Sequence, residues 1–140
     1  MFRIIQLHMV ALIALLATVG RAAPAPAAPG IVSEHGRLQV GGNRIVGSHG
    51  RPVSLAGNSF FWSQWMGRYY TAEAVAWLKR DWNATLVRAA LGITRNDGYL
   101  GDPERNLARV TTVVDAAIVN DLYVLIDWHD HRAHEHAEKA

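Results

Sequence analysis

The sequence predicts an α/β fold in which a parallel sheet follows a short β-hairpin. Stretches of apolar residues typical of buried strands alternate with amphipathic helical segments between residues 52 and 129. The last stretch, residues 123–131, begins with apolar residues and ends in ionisable ones, as a strand covered by helices does where it meets a site. The order strand, helix, strand, helix, strand implies parallel strands joined by right-handed crossovers.

The first 30 residues have the composition of a secretory signal peptide followed by a linker. Arg3 gives a positive start, residues 4–19 are almost wholly apolar, and residues 22–29 are alanines and prolines. The apolar run is shorter than the roughly 20 residues that a membrane-spanning helix needs. We therefore expect cleavage, a secreted or periplasmic location and no membrane association afterwards.

Charge and cysteine content exclude several classes of protein. The leader holds two basic residues, Arg3 and Arg21, and no acidic one, so the rest of the chain has 12 basic and 12 acidic residues. A neutral domain gives no support for nucleic-acid binding. Without cysteine there are no disulfides and no thiolate metal ligands, so packing must stabilise the fold.

The first predicted elements are a hairpin and a strand. Residues 37–40 and 44–46 flank a Gly-Gly-Asn turn, in which glycine supplies the positive φ of a tight turn. Residues 52–58 are the first predicted core strand. An aromatic loop follows at 60–70, and Thr71 is the predicted N-cap of a helix with Glu73 in its first turn.

The second predicted strand covers residues 84–90, and a second helix begins after it. Asp102 is the expected N-cap, with Pro103 at the first helical position. Helical spacing places five apolar residues on one face, which we expect to pack on the sheet. These residues are Leu107, Val110, Val114, Ala117 and Ile118.

The third predicted strand separates its side chains by alternation. Leu125, Asp127 and His129 share one face, and Val124, Ile126 and Trp128 share the other. Because ligands bind at the carboxyl ends of parallel strands, Asp127 and His129 are candidate site residues.

Three strands and two crossover helices do not complete a usual parallel architecture. Residues 132–140 resemble the beginning of a third helix, and a β/α barrel needs about 250 residues. We therefore expect residues 31–140 to be the N-terminal part of a catalytic β/α-barrel domain.

Several ordered motifs resemble one enzyme family. They are Leu-Ala-Gly-Asn-Ser at 55–59, Gln-Trp at 64–65, Leu-Val-Arg-Ala-Ala at 86–90, Gly-Tyr-Leu at 98–100 and Ile-Asp-Trp-His at 126–129. At this spacing they resemble the opening third of bacterial secreted endoglucanases of glycoside hydrolase family five. The resemblance implies a (β/α)8 barrel that cleaves β-1,4-glucan with retention, through one glutamate as acid/base and another as nucleophile, without a metal ion or cofactor.

The resemblance also implies roles for particular residues. Arg88 corresponds to the arginine that supports the nucleophilic carboxylate, His129 to a histidine that contacts the sugar, and Trp65 to a tryptophan of the cleft. Phe61 stands where many relatives have histidine, so stacking would replace a hydrogen bond. None of the five glutamates ends a predicted strand, so we expect the catalytic pair beyond Ala140 and no activity from this chain alone.

The residues themselves leave other interpretations open. Arg88 could form a structural salt bridge with Asp127 or Asp81. Trp77 and Trp82 are predicted core residues. A metal-dependent barrel hydrolase could use the histidine-rich segment 129–136, and a non-catalytic carbohydrate-binding protein could present the aromatic loop. The oligomeric state has no signal in the sequence.

Overall fold

The computed structural model describes residues 30–94 and 96–140. The predicted signal peptide and linker lie outside these ranges, apart from Gly30. Among the described residues, no helix combines the length and the apolar character needed to span a bilayer.

The elements form a hairpin and a separate parallel sheet with helices. The strands are β1 (Gln39–Gly41), β2 (Arg44–Val46), β3 (Gly57–Phe60), β4 (Leu86–Gly92) and β5 (Tyr123–His129). The α-helices are α1 (Ile31–His35), α2 (Ser63–Met66), α3 (Ala72–Trp82) and α4 (Pro103–Val119). Two 3-10 segments cover Gly67–Tyr69 and Ala133–Lys139.

The parallel sheet has the order β3-β4-β5, with β4 in the middle. Arg88 of β4 pairs with Ser59 of β3 and with Leu125 of β5. Both pairings are parallel, as the alternating sequence predicts. Because the strands are neighbours in chain order, their carboxyl ends lie side by side.

The first core strand is shorter and later than the predicted 52–58. Pro52 instead forms an antiparallel bridge with Val46, and the Val53 amide donates to the Ile45 carbonyl at 3.0 Å, so these residues extend the hairpin. Strand β3 begins at Gly57, where a Cβ atom would lie 1.7 Å from the Leu86 carbonyl oxygen. Only glycine permits that close approach of the two backbones.

Both long helices begin at the predicted caps. The Thr71 hydroxyl accepts a hydrogen bond from the Ala74 amide at 3.2 Å. The Asp102 carboxylate accepts one from the Arg105 amide at 3.2 Å, and Pro103 is the first residue of α4. Each cap satisfies an amide that the helix itself leaves without an acceptor.

The buried face of α4 differs from the prediction. Leu107 and Ile118 are 51% and 69% exposed, whereas Val110 and Ala117 are buried as expected and Val114 is partly buried. Asn106 is completely buried because its side-chain NH2 donates to the Asp97 and Asp102 carbonyls, both at 2.9 Å. With Asn106 held in this way, Asn106 and Val113 face the core, and Leu107 and Ile118 are largely exposed to solvent.

The main core lies between the sheet and helices α3 and α4. Val75 of α3, Val87 and Ala89 of β4, and Val113 of α4 are completely buried there. The prediction that Trp77 and Trp82 belong to the core is wrong. They are 44% and 61% exposed and meet edge to face at 5.7 Å.

The end of the chain also differs from the prediction. Residues 132–140 do not begin a regular α-helix but form the 3-10 segment Ala133–Lys139. His136 interrupts it with φ −129° and ψ 20°.

Candidate active site at the carboxyl end of the sheet

Three ionisable side chains meet on one face of the sheet. Arg88 of β4 and the β5 residues Asp127 and His129 occupy alternate positions, so they point away from the face that helices α3 and α4 cover. Their side chains are 29%, 26% and 27% exposed, respectively. We call Arg88, Asp127 and His129 the ionic cluster.

Hydrogen bonds hold the cluster together. Arg88 Nη2 donates to Asp127 Oδ2, and Arg88 Nη1 donates to the Ser59 hydroxyl of β3 at 2.5 Å. His129 Nδ1 lies 2.9 Å from Asp127 Oδ2 and 3.1 Å from Arg88 Nη2. The salt bridge considered for Arg88 is therefore made with Asp127, whereas Asp81 pairs with Arg80 at 2.7 Å.

An aromatic group stands next to the cluster. Trp62 is buried, with its ring 4.5 Å from the His129 ring in an edge contact and stacked on Trp65 at 4.7 Å. Trp65 is 44% exposed, and Phe61, 6.0 Å from it, is 55% exposed. The structure thus connects Trp65 to His129 through Trp62, which the sequence considered only as a member of the aromatic loop 60–70.

Tyr70 anchors the aromatic segment to the sheet. It is only 4% exposed, and its hydroxyl lies 2.7 Å from the Phe61 carbonyl and 2.9 Å from the Ala90 carbonyl. Burial raises the pKa of Tyr70 to about 12, because a phenolate would lose its hydration there. The neutral phenol therefore acts as a fixed donor to the Phe61 and Ala90 carbonyls.

A pocket of about 340 Å³ opens beside the stacked tryptophans. Its lining residues are Trp62, Trp65, Thr94, Asp130, His131 and Arg132. The Thr94 hydroxyl donates to Asp130 Oδ2, which lowers the pKa of that carboxyl, and the Arg132 amide donates to Oδ1 at 2.7 Å. These bonds fix the Asp130 carboxylate in the wall of the pocket that Trp65 also lines.

The sequence assigned no role to Thr94, and it considered Asp130 only as part of the possible metal-binding segment 129–136. Asp130 directly follows a predicted strand end, which is a usable signal, but Thr94 lies in a loop without a recognisable motif. A larger cavity of about 570 Å³ lies between α3 and α4, on the opposite side of the sheet from the cluster. It is lined by alanines, Val119 and polar helix residues, and it contains no basic side chain or aromatic ring.

The structure also places the possible metal ligands and the glutamates. Within residues 30–94 and 96–140, no group of three or more His, Asp and Glu side chains has the geometry of a metal site. The five glutamates all lie in helical segments and none on a strand. They are Glu34 in α1, Glu73 in α3, Glu104 in α4, and Glu135 and Glu138 in the last 3-10 segment.

A family model identifies most of the chain. Residues 46–140 match the model described as cellulase, glycosyl hydrolase family 5. Endoglucanase Z of Dickeya dadantii is 49% identical over 106 residues, which are 74% of this chain and 25% of that protein. Endoglucanase E-5 of Thermobifida fusca is 35% identical over 98 residues, 70% of this chain and 21% of that protein.

Solved structures share the fold. A protein from Cytophaga hutchinsonii superposes with a TM-score of 0.74 at 48% identity, covering 76% of this chain and 35% of that one. The catalytic domain of a Thermobifida fusca endoglucanase gives 0.71 at 30% identity, covering 79% and 37%, and a variant of it was solved with cellotetraose. With the parallel sheet, this confirms the predicted fold class, the N-terminal part of a β/α barrel. The chain spans about a quarter of the length of these two curated relatives.

Proposed function

The chain belongs to the cellulases of glycosyl hydrolase family 5, and from this premise we propose that it supplies part of the active site of a retaining endo-β-1,4-glucanase. One observation supports this assignment above all. The ionic cluster and the exposed ring of Trp65 lie together at the carboxyl end of the parallel sheet, joined through Trp62. In β/α barrels this end holds the catalytic residues.

We propose that Arg88 supports the nucleophilic carboxylate. Asp127 and Ser59 each accept one of its five N–H donors, and these bonds fix the plane of the guanidinium. The remaining donors and the 29% exposure of the side chain leave room for a second carboxylate. A positive charge within hydrogen-bonding distance keeps a carboxylate ionised, as a nucleophile requires.

We propose that Trp65 and Phe61 bind the sugar rings and that His129 contacts the sugar next to the bond that is cleaved. Pyranose rings expose apolar C–H faces, which pack on aromatic planes, and both rings are about half exposed. The relative solved with cellotetraose supports a β-1,4-linked glucan as the substrate class. We also propose export from the cell, on the basis of the leader-like residues 1–30.

The retaining reaction needs two carboxyl groups about 5 Å apart. The glutamates of this chain all lie in helical segments, so we propose that both catalytic glutamates come from other parts of the barrel. The purified 140-residue chain should therefore release no reducing sugar from soluble carboxymethyl cellulose. Measurable, heat-labile turnover by this chain would contradict this assignment of roles.

Hydrolysis can be tested in a chimera. Residues 46–140 would replace the matching segment of Endoglucanase Z, to which the chain is 49% identical. We expect the chimera to hydrolyse carboxymethyl cellulose and to release products whose anomeric configuration is retained, as NMR spectroscopy would show. A folded chimera that gives inverted products, or that hydrolyses only a different class of polysaccharide, would contradict the proposal.

Binding can be tested on the chain itself. Titration with cellotetraose should perturb the indole signals of Trp62 and Trp65, and Trp65→Ala should weaken binding about 10-fold, which corresponds to roughly 1.4 kcal/mol. Trp77→Ala is the matched control because Trp77 has the same 44% exposure but lies on α3. Equal effects of the two substitutions would remove Trp65 from the proposed cleft.

A further inference from the structure

The proposed function uses Asp127 only as a hydrogen-bond acceptor for Arg88, although Asp127 also contacts His129. One of its oxygens, Oδ2, is shared by Arg88 Nη2 and by His129 Nδ1, the latter at 2.9 Å. Asp127 thus contacts both the residue that we assign to the nucleophile, Arg88, and the residue that we assign to the sugar, His129. Along the sheet, Asp127 lies between the levels of Arg88 and His129, where it contacts both residues but does not line the aromatic pocket.

The short contact constrains the proton on His129. A neutral imidazole carries one N–H and one lone pair, whereas an ionised carboxylate only accepts hydrogen bonds. If Nδ1 carried the lone pair, two acceptors would face each other at 2.9 Å. Arg88 Nη2 lies 3.1 Å from Nδ1 and has a second N–H that could donate to it, but Asp127 Oδ2 would still face that lone pair at the shorter distance of 2.9 Å. Placing the proton on Nδ1 turns the 2.9 Å contact with Asp127 Oδ2 into a hydrogen bond.

The surroundings hold the ring in this orientation. The edge contact with Trp62 at 4.5 Å limits rotation of the imidazole, and the side chains of His129 and Asp127 are each about three-quarters buried. In the Nδ1–H form, Nε2 is left as an acceptor. An acceptor is what a sugar hydroxyl needs in order to donate a hydrogen bond.

We propose that Asp127 is a positioning residue that fixes His129 in the Nδ1–H tautomer and locks the guanidinium of Arg88. Its action on a sugar hydroxyl rests on the proposed function, whereas its action on the tautomer does not. Replacing the carboxylate by an amide keeps the shape of the side chain and removes the negative charge. Asp127→Asn should therefore release His129 from a single tautomer.

The test is NMR spectroscopy of the 15N-labelled 140-residue chain. Long-range proton–nitrogen correlation spectra distinguish the two neutral tautomers from each other and from the imidazolium, and they would be recorded at about pH 9. A His129→Gln variant would assign the signals. We expect only the Nδ1–H form in the natural chain and a substantial Nε2–H population in Asp127→Asn. Asp130→Asn, which changes the neighbouring carboxylate, should leave the Nδ1–H form unchanged.

Two results would overturn the inference. One is the Nε2–H tautomer at His129 in the natural chain, a result that requires no variant to fold. The other is an unchanged Nδ1–H form in a folded Asp127→Asn chain. The same spectra report folding, and Asp127→Ser is a smaller second variant for the same comparison. A chain that binds no cellotetraose but shows the expected tautomers would contradict the proposed function and support this inference.

Discussion

The two faces of the parallel sheet use the same strands for different purposes. On the face covered by α3 and α4, Val87 and Ala89 are completely buried and Leu91 is 7% exposed. On the other face, Arg88 follows Val87 and Asp127 follows Ile126. Arg88 and Asp127 are more than a quarter exposed and bound to each other. Strand alternation thus separates stability from chemistry within single elements.

The comparison shows how charge is tolerated next to a dry core. Burying an unpaired guanidinium would cost several kcal/mol, but Asp127 and Ser59 supply acceptors. Among the described residues, no buried ionic group lies on the helix-covered face, although Asn106 lies beside it with its amide donating to two carbonyls. We therefore expect substitutions on the helix-covered face to change stability. Substitutions on the opposite face, which carries Arg88 and Asp127 and is called the open face here, should change function.

The largest expected effect is on the covered face. Ile93 follows β4 in register with Val87, Ala89 and Leu91, and it is completely buried. Ile93→Ala removes three carbon atoms and leaves a cavity, so it should lower the free energy of unfolding by about 2–5 kcal/mol. Urea denaturation followed by tryptophan fluorescence would measure the change.

Ile126→Ala provides the control for that substitution. Ile126 is the same residue type on the same face but is 59% exposed at the edge strand β5. Ile126→Ala should lower the free energy of unfolding by less than about 1 kcal/mol, because folding removes little of this side chain from water. Equal losses at Ile93 and Ile126 would show that the covered face is not the stabilising one.

The next effect is on the open face. Arg88→Lys in the Endoglucanase Z chimera should lower kcat about 100-fold or more, which corresponds to roughly 2.7 kcal/mol. A lysine ammonium cannot reproduce the forked contacts with Asp127 and Ser59. KM should change little if Arg88 acts on the charge of the nucleophile.

Arg80→Lys is the matched substitution for Arg88→Lys. Arg80 also pairs with an aspartate, Asp81, but on the surface of α3, where such pairs have little effect. The chimera with Arg80→Lys should keep its kcat. Wild-type kcat in Arg88→Lys would remove Arg88 from the active site and leave it a purely structural residue.

The sequence predicted those parts of the fold that depend on local chemistry. Thr71 and Asp102 begin their helices because a side-chain oxygen next to a free amide is a local arrangement. The strand ending at His129 was predicted because four apolar residues precede the ionisable ones. The same apolar run placed His129 at a strand end, whereas Arg88 was assigned from the family resemblance, and the contact between the two depends on the register of β4 and β5.

The features that the sequence missed depend on distant residues. The start of β3 is set by the approach of Gly57 to Leu86, 29 positions later in the chain. The buried face of α4 depends on Asn106, which also accepts a hydrogen bond from the Ser63 hydroxyl at 2.8 Å. The pocket beside Trp65 requires Thr94 to meet Asp130. No periodicity along a segment carries this information.

The smallest predicted effect concerns Tyr70, which ties the aromatic segment of the open face to the strand β4. Its pKa of about 12 in the folded chain exceeds the ordinary value of 10.0 in the unfolded chain. Below pH 10 both states keep the phenolic proton, so Tyr70 adds no pH dependence there. Between pH 10 and 12 the unfolded state loses the proton first, and the free energy of unfolding should fall with rising pH.

At pH 11 the expected loss from Tyr70 is about 1.4 kcal/mol relative to pH 9, since one unit of displaced titration corresponds to about that energy. Urea titrations of the natural chain and of Tyr70→Phe at both pH values would isolate this contribution from the other tyrosines. Tyr70→Phe should be less stable at pH 9, because the Phe61 and Ala90 carbonyls lose their donor, but its stability should fall less steeply with pH. Equal slopes for the two proteins would mean that the Tyr70 hydroxyl is hydrated and that the aromatic segment is not anchored to β4 in solution.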